Sequence, residues 1–128
     1  MNKVGIIIAS ITVLIIGAGA YFLTKPKPPI ELPQYNESEY NYFWGNGCPH
    51  CAVVAEFMDS WEGKDKINLN KFEVWYDDGN AELMNQKAEQ VCKLSKNELA
   101  VPLLITPDGV CLKGDEPVIE YFKELKFE

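Results

Sequence analysis

Arginine is absent from the 128 residues, and histidine occurs once, at His50. Positive charge therefore comes from 12 lysines alone, and only 9 of them follow the first 27 residues, against all 19 acidic side chains. That leaves the C-terminal hundred residues near −10. An acidic surface without a guanidinium argues against nucleic acid or an anionic membrane surface as partner. Internal repeats and low-complexity tracts are also missing. Cysteine is scarce: Cys48, Cys51, Cys92 and Cys111 are all there is. A closed structural zinc site takes four ligands, usually as two short-spaced pairs. Here Cys92 and Cys111 stand 19 apart, and His50 is cramped between the first two cysteines, so zinc is disfavoured.

What the sequence does hold begins with Val4 to Leu23, twenty residues without a charge. As a helix they span about 30 Å, the thickness of a bilayer's hydrocarbon. Ser10 and Thr12 are the only polar residues in the run, and each can bond back to a helix carbonyl. Ala18-Gly19-Ala20 offers a small-x-small cleavage site, so a secretory signal peptide is the rival reading. We favour an uncleaved anchor, because the apolar run outlasts a typical signal core. Lysines flank both ends, and charge does not decide the orientation. "KPKPPIELP" follows, with four prolines in nine residues, which suits an extended semi-rigid spacer. The expected organisation is an anchor over residues 1–24, a Pro-rich linker over 25–38 and one small domain over 39–128.

Within that domain, Tyr40 to Trp44 reads as a short buried strand. Gly45-Asn46-Gly47 breaks it, and Val53, Val54, Phe57, Met58 and Trp61 form the stripe of a helix. Pro49 fits that helix's first turn. Phe72 to Tyr76 is expected as a second strand, then a turn at Asp77-Asp78-Gly79-Asn80. A second helix follows, with Met84, Ala88, Val91 and Cys92 on its apolar side. "VPLLI" makes a third strand, Pro107-Asp108-Gly109 a hairpin turn, and Val110 to Lys113 a fourth strand. Asp115 can cap a last helix bearing Val118, Ile119, Phe122 and Leu125. The order β-α-β-α-β-β-α predicts a mixed four-stranded sheet with helices on both faces.

The stretch "FWGNGCPHC" gives the chemistry. Cys48 follows a strand and a Gly-x-Gly turn and opens a helix. There a sulfur meets unpaired N–H groups and the positive end of the helix dipole, which favour a thiolate. Cys51, one turn on, points inward and can resolve a mixed disulfide formed at Cys48. A purely structural bridge between them is weak, because so small a loop removes little unfolded-state entropy. The expectation is an exposed Cys48, a more buried Cys51, and His50 beside them to tune the pair.

These residues carry a resemblance. "FWGNGCPHC" resembles the active-site segment of the thioredoxin family, and Pro49-His50 looks like the inner dipeptide of the DsbA-type disulfide oxidases. "AVPLLI" resembles the family's cis-proline segment, which implies Pro102 in cis beside the cysteines, with Val101 before it. The likeness spans nearly all of residues 40–127. It implies an α/β thioredoxin-like fold and catalysis by Cys48, Pro49, His50 and Cys51, with substrate held at Val101 and Pro102. It implies no cofactor. Two departures stand out. The family's buried acidic residue, six positions before the first cysteine, is Tyr42 here, with Glu73 on the neighbouring strand as a substitute candidate. The helical insertion that gives DsbA-type oxidases a broad peptide groove is missing as well.

In an exported domain four cysteines usually form two pairs, and the hairpin could bring Cys111 against the second helix. We place a structural Cys92–Cys111 disulfide ahead of two free thiols, and a redox relay third. Together the reading is a single-pass protein of a bacterial cell membrane. Its extracytoplasmic domain would be an oxidase or isomerase acting on cysteine-containing proteins. Similar small tethered domains partner membrane proteins of the vitamin K epoxide reductase family, which implies that kind of quinone-linked partner. A tethered reductase and a non-enzymatic thioredoxin-like binding module are the alternatives.

Overall fold

The structure, a computed structural model, describes residues 2–127. Met1 and Glu128, the outer ends of the expected anchor and domain, lie outside the described residues. Helix α1 (Lys3–Thr24) comes first, capped by the Asn2 side chain, which accepts from the Gly5 N–H. It is apolar all round and none of its residues is buried against the described domain, so bilayer is the solvent its composition fits. Ser10 and Thr12 return their hydroxyls to the carbonyls of Ile6 and Ile8, both at 2.9 Å, so neither presents a free donor to lipid. Among the described residues it is the one helix long and apolar enough to cross a membrane, which supports a single-pass membrane protein.

The domain runs β1 (Tyr40–Trp44), α2 (Pro49–Ser60), β2 (Leu69–Glu73), α3 (Asp78–Gln90), β3 (Leu103–Ile105), β4 (Cys111–Lys113) and α4 (Asp115–Glu124). Sheet order is β2-β1-β3-β4. The β1–β2 pair is parallel across the α2 crossover, and the other two pairs are antiparallel. Strand alternation divides the core into two halves. Tyr42 and Leu104 face α2 and α4, where they meet Val54, Met58, Val118 and Phe122. Phe43, Leu103 and Ile105 face the other way, onto Leu83, Met84 and Ala88 of α3. Each large side chain buried this way contributes about 1.5–3 kcal/mol.

Several boundaries differ from the sequence reading. The second strand is Leu69–Glu73, three residues earlier than expected, because β1 pairs Tyr40 with Leu69 and Trp44 with Glu73. The polar residues Asn68 and Asn70 hide that start, yet both bond the Glu39 carboxylate beside β1. Val53 is 47 % exposed rather than part of the apolar stripe, since α2 turns Val54 and Met58 inward. Helix α3 begins inside the expected turn, with Asp77 as its cap, and stops at Gln90. Cys92 therefore lies past the helix, in a turn that continues through the left-handed Lys93. The cap of α4 is Gly114, at φ 99°, and Asp115 is the first helical residue. The spacer's end also packs: Tyr35 rests on the α3 side of the core, under the Lys87 amine.

Candidate active site

Strand β1 delivers the chain to the site and Gly45 lets it turn there. A Cβ on Gly45 would lie 2.4 Å from the Trp75 ring, so only glycine admits the indole over this loop. Gly47, at φ 93°, completes the turn into α2. The Cys48 N–H closes it by donating to the Gly45 carbonyl, 3.1 Å away. Glu73 fastens the same loop from the neighbouring strand. Its carboxylate accepts from the N–H groups of Asn46, Trp75 and Tyr76 at 2.9–3.0 Å. Desolvation works to raise this carboxyl, but those backbone donors outweigh it and hold Glu73 below the ordinary carboxylate range. Its oxygens are thus committed to the loop, which gives Glu73 a structural task.

Cys48 caps α2 and Pro49 occupies the first helical position. The Cys51 N–H donates to the Cys48 sulfur at 3.2 Å, a contact suited to a sulfur that must carry negative charge. The two thiols are unbridged and near disulfide distance. Opposite them, the Val101 carbonyl lies 3.9 Å from the Cys48 sulfur, and the Val101–Pro102 peptide is cis. Cys48 is not the exposed sulfur expected from sequence. It is 6 % exposed against 4 % for Cys51, because the Val101 loop, remote in sequence, closes over it. The two sulfurs differ in environment rather than in exposure. Desolvation, with the neighbouring Cys48, pushes the Cys51 thiol up to about 11.

The fold is thioredoxin-like, and the site performs thiol–disulfide chemistry. Comparison with protein-family models, with curated proteins and with solved structures finds no match to this chain. The thioredoxin-like site also includes contacts that no local motif announces. His50 keeps its side chain 68 % exposed and sets Nδ1 3.1 Å from the Asp115 carboxylate at the start of α4. That hydrogen bond holds Asp115 below its usual range. The pair is 65 positions apart in sequence, so only the packing of α4 on α2 could reveal it. Tyr42 was visible in sequence as a departure; in the structure its ring is buried beside Cys51.

Cys92 and Cys111 form a disulfide, with Cα atoms 5.7 Å apart. It ties the turn after α3 to β4, on the α3 side of the sheet. With both sulfurs in that bond, they cannot complete a zinc site with Cys48 and Cys51.

Proposed function

We propose that this membrane-anchored thioredoxin-like domain oxidises or isomerises disulfides in exported proteins, exchanging a Cys48–Cys51 disulfide with their thiols. The observation that carries this is the Cys48 sulfur, held at the α2 cap under the Cys51 N–H and facing the Val101 carbonyl. In oxidation, a substrate thiolate attacks the Cys48 sulfur, and the Cys48–Cys51 bond breaks. Cys51 leaves as a thiolate and takes up a proton. A second substrate thiolate then attacks the substrate sulfur of the mixed disulfide, which forms the substrate disulfide and releases Cys48. Two electrons stay on the enzyme as its dithiol.

Cys48 is the exchanging sulfur, Cys51 resolves, His50 tunes, and Pro49 fixes the helix start between them. Val101 and Pro102 offer the backbone against which an extended substrate segment aligns. A Cys92–Cys111 bridge suits an oxidising compartment, which supports an extracytoplasmic domain and a retained anchor on a bacterial membrane. A quinone-linked membrane protein of the vitamin K epoxide reductase kind is the partner that would accept the two electrons.

Cys51→Ser should trap substrates as mixed disulfides on Cys48, and Cys48→Ser should abolish exchange. The reduction potential decides the direction. A value near −270 mV, about that of thioredoxin, would replace the oxidase by a tethered reductase. Absence of any exchange with peptides or insulin would leave a binding module. Protease protection of the domain in intact cells would reverse the topology.

A further inference from the structure

The exchange reaction moves a proton on and off Cys51, and this thiol is buried and holds its proton tightly. Its surroundings contain one feature the exchange chemistry above leaves unused. Among the described residues, the Tyr42 hydroxyl is the single buried side-chain polar atom without a hydrogen-bond partner. An orphaned buried hydroxyl costs stability, so a partner in another state of the site gives a reason for it. Beside it lies a cavity of about 160 Å³, lined by Tyr42, Cys51 and Lys71 together with apolar Val54, Met58 and Phe122. Lys71 stands opposite Tyr42 in the β1–β2 register, lines the same cavity and is exposed, so the cavity extends from the buried thiol to a side chain that reaches solvent. That volume exceeds what a water needs, about 10–15 Å³, by a wide margin, and its mainly apolar wall includes three residues with polar ends, Tyr42, Cys51 and Lys71.

We propose that Tyr42 is a further residue of the exchange reaction: its hydroxyl donates to the Cys51 sulfur when that sulfur is anionic, and the cavity is the proton's route between Cys51 and solvent. The proposal rests on the exchange reading above. In the resolving step, Cys51 gives its proton to water in the cavity, and the proton leaves past Lys71. The thiolate, held by the Tyr42 O–H, attacks the Cys48 sulfur of the mixed disulfide. The Cys48–Cys51 bond forms and the substrate leaves as a thiolate. In the oxidation direction the same steps run backward. Tyr42 acts as a neutral donor throughout, since burial and the neighbouring cysteines raise its phenol above the ordinary value. The other titratable or charged groups facing the pair are Cys48 at the α2 cap, Asp115 at the start of α4, and Lys71 on β2.

Tyr42→Phe tests this, because it keeps the ring and deletes the hydroxyl. The reduced full-length protein in detergent is mixed with a chromogenic aromatic disulfide. A first phase reports attack by Cys48, and a second reports release of its adduct by Cys51. We expect the second phase to slow about tenfold, the worth of one hydrogen bond to a charged atom, and its pH profile to move to higher pH. The first phase should stay as in wild type, and the urea midpoint should not fall. Lys71→Met, at an exposed strand position, should slow the second phase in the same direction. A second phase with wild-type rate and pH profile in Tyr42→Phe overturns the proposal, as does equal slowing of both phases, which would mark a disturbed site. Should Tyr42→Phe fail to fold, an unaltered second phase in Lys71→Met overturns the proton route. A wild-type protein without any second phase sinks the exchange reading itself, and this proposal with it.

Discussion

Replacing Cys92 and Cys111 together by alanine removes one covalent link and little else. The bridge joins positions separated by 19, and loop-closure entropy for a loop of that length is worth about 3 kcal/mol. Packing adds little to this, because both residues are only half-buried and alanine keeps each Cβ in place. With a urea slope of roughly 2 kcal/mol/M for a domain of this size, the midpoint should fall by about 1.5 M. The effect acts on the unfolded chain, which loses its cross-link, expands and exposes more surface. The slope should therefore rise slightly rather than fall. Urea titration followed by tryptophan fluorescence measures both, in a Cys48→Ser/Cys51→Ser background so that no thiol reshuffles. Thiol–disulfide exchange, assayed with Cys48 and Cys51 intact, should survive, since the bridge lies on the α3 side of the sheet. A loss below about 1 kcal/mol, or a lower slope, would refute the loop-entropy reasoning.

Three more expectations concern the active-site loop. Gly45→Ala sets a Cβ 2.4 Å from the Trp75 ring, so the indole must leave. A cost of about 1–3 kcal/mol and a shifted tryptophan emission should follow, and an unchanged spectrum with unchanged stability would contradict the packing argument. Glu73→Ala should speed hydrogen exchange at the amides of Asn46, Trp75 and Tyr76. Because the Glu73 carboxyl is held below its ordinary value, its contribution is complete above that value and is lost as pH falls through the lowered one. The wild-type protein should lose protection at the same amides at acid pH once the intrinsic pH dependence of amide exchange is divided out, and protection factors there that do not change with pH would count against the clamp. Asp115→Asn removes a negative charge near the reactive sulfurs and leaves His50 without its partner. The reduced, anionic form gains, so the reduction potential should rise, by no more than about 30 mV for a partly exposed group. A fall would show that Asp115 acts mainly by holding His50 charged.

The sequence by itself determined the elements and the chemistry. Alternation and turn residues placed β1, α2 and the β3–β4 hairpin, because a strand's period of two and a glycine's backbone freedom are local properties. The pair Cys48 and Cys51 was legible for the same reason: a helix's first turn stabilises an anion whatever surrounds it. The twenty uncharged residues of α1 likewise needed no fold to read. Tertiary structure decided what depends on neighbours distant in the chain. The start of β2 came from pairing with β1, which overrode its polar residues. Cys48 lost its exposure to the Val101 loop, and His50 gained Asp115, because those residues meet only when β3 and α4 pack beside α2. Tyr42 was visible as a residue out of place, but the cavity lined by Tyr42, Cys51 and Lys71 exists only between two strands and two helices. Burial and proton affinity are sums over surrounding atoms, and the chain's order alone does not supply those surroundings.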